Sequence, residues 1–212
     1  SQWCGRLDGL GARLNGPDIR AAFGVAARRF KTRSADTDVS AVAALPLARV
    51  RTLARAVRMG TPAAINNAIN ALIGCGPGLT PAGDDVLVGL LAGLYSTLPT
   101  GPRSHDLSSS GAMDTPPRSA LLRTAALRIE TVQAAMRAGI RRTNIISAAC
   151  LLHATNGEFS ERIATLARHI ATGAAASATV RATDDALAVG ASSGADGVLG
   201  LLLGLALGGR DA

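Results

Sequence analysis

Two stretches of this chain combine glycines with hydroxyl and carboxylate side chains at spacings that suit ligand chemistry. The first runs Gly74-Cys75-Gly76-Pro77-Gly78-Leu79-Thr80-Pro81-Ala82-Gly83-Asp84-Asp85, and the second runs Gly190-Ala191-Ser192-Ser193-Gly194-Ala195-Asp196. Each leads into an apolar segment with helical character. A glycine-rich loop feeding a helix N-terminus presents unpaired N–H groups and the positive end of the helix dipole, so it suits carboxylate or phosphate. Glycine is required where a Cβ would block close approach or where left-handed dihedrals are needed. Two uses fit Asp84, Asp85 and Asp196. Each can complement a helix dipole, or together they can admit Mg2+ with oxygen ligands and water, bridging to a phosphate.

Other chemistries find less support. Gly74-x-Gly76-x-Gly78 is no dinucleotide fingerprint, because a helical segment precedes it and Pro77 interrupts it. No Gly-Lys-Ser/Thr follows, which excludes a Walker P-loop. His105, His153 and His169 lack metal-ligand spacing, so no metal-ligating set is assigned. Sequence order assembles no Ser–His–Asp triad, and the catalytic residues stay unassigned. Cys75 lies inside the first motif, where a small buried residue is expected more than a reactive thiolate.

The elements that must position these loops are helical, and no convincing alternating strand appears. Pro17 and Asp18 open a segment through about Arg29, and Pro46 opens one to about Met59. Thr61-Pro62 reads as an N-cap for Ala63–Ile73, which the glycines from Gly74 stop. Further helices are expected at Gly83–Tyr95, Ser119–Ala138, Thr143–Ala154, Phe159–Thr172, Thr183–Ala188 and Gly194–Leu207. Thr143 is expected to cap the helix that begins at Asn144, just after Arg141 and Arg142. Residues 97–118 form the one breaker-rich stretch, read as a flexible loop or linker inside a single helical domain spanning 1–212.

An internal echo links the two loop–helix units. Gly83–Leu94 aligns without gaps to Gly194–Leu205 with seven identities in twelve positions, Asp85 matching Asp196. In each copy, glycines four apart (Gly89/Gly93 and Gly200/Gly204) share one helix face and permit close backbone packing. Such a face would set the two helices side by side and bring both loops to one end of a compact multi-helix bundle.

Bulk properties agree with this mainly α fold. Hydrophobic residues make up 48% of the 212, but aromatics only 2%, so the core must be built from Ala, Leu, Ile and Val. The net charge of +7 admits anionic ligands, nucleic acid or an acidic partner. Nucleic acid is disfavoured, since the arginines are scattered and no stacking aromatics accompany them. The densest basic group, Arg49, Arg51, Arg55 and Arg58, wraps around a helix. Three widely spaced cysteines fit a reducing cytoplasm better than a disulfide framework. Val198–Leu207 is too short to span a bilayer, and no membrane association is expected.

The first motif, continued by Leu87-Val88-Gly89-Leu90-Leu91, closely resembles the signature of the AllH-like proteins. This family, first described as a domain of unknown function, is linked to the oxamate carbamoyltransferase of allantoin degradation, a branch of purine catabolism. The second motif resembles that family's second signature, and Thr143, Ser147 and Gly157-Glu158 fall where its middle motif is expected. Two departures stand out. The β-rich N-terminal region usual in the family is absent here, as expected of a truncated chain. Ala191 and Ala195 also replace a His and a Trp of the second signature.

The resemblance implies carbamoyl transfer between oxalurate and phosphate, giving oxamate and carbamoyl phosphate, within a hetero-oligomeric complex. All these species are small anions. Gly76, Gly78 and Gly194 are then expected to contact the anion, helped by Thr80, Ser192 and Ser193. Gly83 belongs to the same substrate-binding loop, and Asp84, Asp85 or Asp196 would orient the donors or hold Mg2+. Arg141 or Arg142 would supply neutralising charge. Two alternatives remain open: a non-catalytic ligand-binding or assembly subunit, and a metal-dependent hydrolase using Asp84, Asp85 and Asp196.

Overall fold

The computed structural model describes Leu14 and residues 16–36, 47–98 and 118–209. Nearly all of the stretch read as a loop at 97–118 lies outside the described residues; Thr97 and Leu98 close one helix and Arg118 opens the next. Among the described residues there are α-helices and one 3-10 turn, with no strand, as the low aromatic content and helical periodicity predict.

In chain order the helices are α1 (Pro17–Asp36), α2 (Leu47–Met59), α3 (Pro62–Asn70), α4 (Ala82–Ser96) and α5 (Arg118–Gly139). After the 3-10 turn Ile140–Arg142 come α6 (Ile145–Thr155), α7 (Glu161–Thr172), α8 (Ala176–Leu187) and α9 (Ser193–Gly208). Helix α1 extends well beyond Arg29, and α8 starts seven residues before the expected Thr183. The face that α8 buries is made of Thr179, Ala182, Thr183 and Ala186, which gives little apolar periodicity. Thr61 occupies the N-cap position of α3, but its side chain makes no capping bond. The cap expected from Thr143 belongs to Asn144, whose side chain accepts from the N–H groups of Ile146 and Ser147.

Helices α4 and α9 form the centre of the bundle. Both are apolar on nearly every side, the composition of a helix surrounded by others. Leu87, Leu90, Leu91 and Leu94 on α4 are buried, as are Val198, Leu201, Leu202, Leu203 and Leu205 on α9. Full burial of each such leucine contributes about 2 kcal/mol. Helices α5, α6 and α7 pack against α4, while α1, α2 and α8 pack against α9.

Glycines set how closely the central pair approaches. A Cβ at Gly89 would collide with the carbonyl oxygen of Gly197, and one at the matching Gly200 would collide with that of Val86. Gly93 meets the Leu201 carbonyl in the same way, and its counterpart Gly204 meets that of Leu90. The contacts are reciprocal under the internal echo, and they advance in the same direction along both helices. The pair is therefore parallel and related by a pseudo-two-fold axis along the bundle, with both N-termini at one end.

The symmetry extends into the preceding loops. The Leu72 carbonyl accepts from the Cys75 N–H at 2.9 Å, and the Cys75 carbonyl accepts from the Gly83 N–H at 2.8 Å. In the second copy, Ala186 accepts from Val189 at 3.4 Å and Val189 accepts from Gly194 at 2.9 Å. A Cβ on Gly83 or Gly194 would strike the Leu72 or Ala186 carbonyl, respectively. The repeated unit is thus helix, loop and helix, α3–α4 and α8–α9, with the longer loop in the first copy.

Candidate functional site

The two loops meet above the N-termini of α4 and α9. The Thr80 and Ser193 hydroxyls lie 2.7 Å apart and join the loops directly. Gly76 and Gly78 take φ of 117° and 96°, values that L side chains rarely adopt, which lets the first loop fold over the start of α4. At Gly76 a Cβ would also press on the Ala82 backbone N at 2.9 Å, whereas Gly78 faces open space.

The expected N–H donors divide into two groups. Those of Gly83 and Gly194 are given to the loop carbonyls of Cys75 and Val189, so these two glycines serve close packing and loop closure. The N–H groups of Gly76, Gly78 and Thr80 engage no acceptor among the described residues, nor do those of Ser192 and Ser193.

The three aspartates also part company. Asp84 is buried at 1% exposure and both its oxygens are occupied. Its Oδ1 accepts from the Gly74 N–H at 2.9 Å, and its Oδ2 accepts from the hydroxyls of Thr143 at 2.6 Å and Ser147 at 2.7 Å. It thereby ties the start of the first loop to the start of α6. Its counterpart in the second copy is Ala195, which has no side-chain acceptor.

Asp85 and Asp196, matched by the pseudo-two-fold, are under-satisfied. The Oδ2 of each is buried with no hydrogen-bond partner, and Asp196 as a whole is only 3% exposed. Burial pushes the Asp85 carboxyl up to about 7, against the hydroxyls of Ser193 and Thr80, with repulsion from Asp196 and Asp84 adding to the rise. Burial likewise raises Asp196 to about 6, opposed by Ser192. Cys150, on α6, lies within electrostatic reach. Its partial burial and the negative charges of Asp85 and Asp84 raise its pKa.

Positive charge stands nearby. The carbonyl of Arg142 packs against Gly74, and the side chains of Arg141 and Arg142 are exposed at this end of the bundle. Arg49 donates to the Ala71 carbonyl at 2.7 Å and lies 3.3 Å from the Cys75 Sγ, bracing the foot of the first loop. Cys75 is half-buried, where the sequence alone suggests a small buried residue. His105 lies outside the described residues. His153 pairs with Glu158 at the far end of α6, and His169 contacts the Ala178 carbonyl, so neither reaches the loops.

Sequence order alone did not reveal what Thr143 and Ser147 do. They sit 59 and 63 positions from Asp84, and only the docking of α6 shows them as its hydroxyl donors. Among the described residues no group of three or more His, Cys, Asp or Glu side chains is placed to hold a metal. With Asp84 fully engaged, the three-aspartate hydrolase has two available carboxylates.

A second surface adjoins the site. Ile145 is 87% exposed at the start of α6, with Ile146 and Leu152 also exposed on that helix. Leu79 at the tip of the first loop and Val189 in the second are exposed as well. No helix among the described residues is long and apolar enough to cross a membrane.

No curated protein and no solved structure matches the chain. The sequence profile of the oxamate carbamoyltransferase subunit AllH matches residues 72–205, a span that opens at the carbonyl closing the first loop and runs almost to the end of α9. It takes in both loop–helix motifs, Asp84 with its partners Thr143 and Ser147, and the Asp85–Asp196 pair. On that match the chain belongs to the AllH family of oxamate carbamoyltransferase subunits.

Proposed function

We propose that the junction of the two loops is the small-anion site of a carbamoyltransferase subunit, taking carbamoyl phosphate or phosphate together with oxalurate or oxamate. The observation that carries this reading is the parallel pairing of α4 and α9. It aligns two helix dipoles, so their positive ends add at one point instead of cancelling. The N–H groups of Gly76, Gly78, Thr80, Ser192 and Ser193, which engage no acceptor among the described residues, belong to the two loops that meet there. Their preorganised dipoles suit charged oxygens that develop during acyl transfer. In the phosphorolysis direction, a phosphate oxygen attacks the carbamoyl carbon of oxalurate, and the bond from that carbon to the oxamate nitrogen breaks. The proton carried by hydrogenphosphate ends on that nitrogen.

At the junction the Ser193 hydroxyl is shared between Thr80 and the Asp85 carboxylate, and the two described histidines are engaged elsewhere. The exposed apolar residues of α6 and of the loop tips support a site completed by another subunit. The same residues favour a second reading, in which this chain binds ligand or assembles the complex without chemistry of its own. Carbamoyl phosphate formation from oxalurate and phosphate should be assayed with the chain alone, with its partner subunits, and with the mixture. Activity confined to the mixture, and lost when Gly76→Val replaces the native chain, supports the catalytic reading. A mixture equally active with that variant refutes the placement of the anion.

A further inference from the structure

The anion site has an unbalanced charge at its centre. Asp85 and Asp196 stand where two parallel helices approach as closely as backbones allow, each with a buried Oδ2 that nothing among the described residues donates to. The groups that act on them are Asp84 and the hydroxyls of Thr80, Ser192 and Ser193; no described lysine, arginine or histidine is among them. From α6, Cys150 lies within electrostatic reach of Asp85 and Asp84. Two uncompensated carboxylates would repel the anions that the surrounding N–H groups attract. A buried ionised carboxylate without a partner is costly, and such a group is normally paired or coordinates a metal.

We propose that Asp85 and Asp196, with the hydroxyls of Thr80, Ser192 and Ser193, form an open site for one hard divalent cation of the Mg2+ or Mn2+ class. Its remaining coordination positions are left to water and to an oxygen of the bound anion. The proposed donors are carboxylate and hydroxyl oxygens only, and this disfavours Zn2+ and other thiophilic metals. Two carboxylates suffice. Mg2+ keeps several waters and is commonly held by one or two carboxylates plus a substrate phosphate, not by a full protein cage. Asp84 is excluded as a ligand because its lone pairs already accept from Gly74, Thr143 and Ser147. A dication between the pair cancels their charge and turns a repulsive spot into the attractive centre that a phosphate needs. The ion site deepens the anion reading above and rests on it only for the identity of the incoming oxygen.

The test uses the full chain stripped with EDTA and titrated with Mn2+, free Mn2+ being read by electron paramagnetic resonance. The titration is run with and without inorganic phosphate. One saturable Mn2+ per chain, displaced by Mg2+ and bound more tightly with phosphate, is expected. Asp85→Asn and Asp196→Asn, each checked for native helicity by circular dichroism, should each weaken binding by about tenfold or more. Ser192→Ala keeps both carboxylates and should weaken it less, which provides a second measurement if an aspartate variant fails to fold. Absence of saturable binding, or binding unchanged in all three variants, overturns the ion site. Phosphate binding without any metal would leave the anion reading standing while refuting the ion. Mn2+ binding indifferent to phosphate would leave the ion site standing and count against the anion.

Discussion

Replacing Asp85 by asparagine should stabilise the metal-free protein at alkaline pH, an unusual outcome for a buried polar residue. The carboxyl titrates near 7 in the fold, against an ordinary value of 3.8 for an aspartate in water. A group whose folded pKa is raised contributes stability that is complete below its unfolded pKa and lost as pH rises through its folded pKa. The loss therefore falls between about pH 4 and pH 7. Three units at 1.36 kcal/mol each set a ceiling of about 4 kcal/mol. Asp85 is only partly enclosed, and water reaching it reduces this to about 2 kcal/mol. Asparagine has the same shape and cannot ionise. Urea denaturation in EDTA should show Asp85→Asn more stable than the parent by about 2 kcal/mol at pH 8 and nearly equal to it at pH 3. Taking the difference between the two proteins at each pH cancels the other titrating groups. A difference that is the same at both pH values, or a variant less stable at pH 8, would show that Asp85 carries no buried uncompensated charge.

Gly200→Ala should destabilise by about 3 kcal/mol, since the new methyl meets the Val86 carbonyl. Gly24→Ala on α1, where the Cβ meets only the end of the Arg28 side chain, should be neutral or stabilising by up to about 1 kcal/mol; thermal melts compare the two. Asp84→Ala strands three donors and should cost about 3 kcal/mol, with faster hydrogen exchange at the Gly74 amide. A double-mutant cycle of Thr80→Val and Ser193→Ala should give a coupling of about 1 kcal/mol, and zero coupling would show that their contact does not hold the loops together. Ile145→Ser should leave the melting temperature of the isolated chain unchanged while reducing co-purification with partner subunits, because Ile145 contributes nothing to the core.

The sequence by itself determined the helices, the two loops and the pairing of α4 with α9. These are local or repetitive properties. Glycine and proline stop helices wherever they fall, a low aromatic content leaves helices to build the core, and glycines four apart mark one face whatever surrounds it. The repeated Gly-Asp-apolar register in the two copies predicts a symmetric contact before any partner face is known. The full length of α8 escaped because the face it buries is Thr179, Ala182, Thr183 and Ala186, small or polar residues with little periodic apolar signal. Only the tertiary structure separated the aspartates. Asp84 and Asp85 are adjacent in the chain and alike in chemistry, yet on a helix they point about 100° apart. One therefore faces α6, with Thr143 and Ser147 as its donors, and the other lies beside the Thr80 and Ser193 hydroxyls, within electrostatic reach of its counterpart Asp196. Likewise, nothing local distinguishes the N–H of Gly194 from that of Gly78. Loop closure onto Val189 uses the first, while the second stays open, and that division depends on contacts the chain makes only when folded.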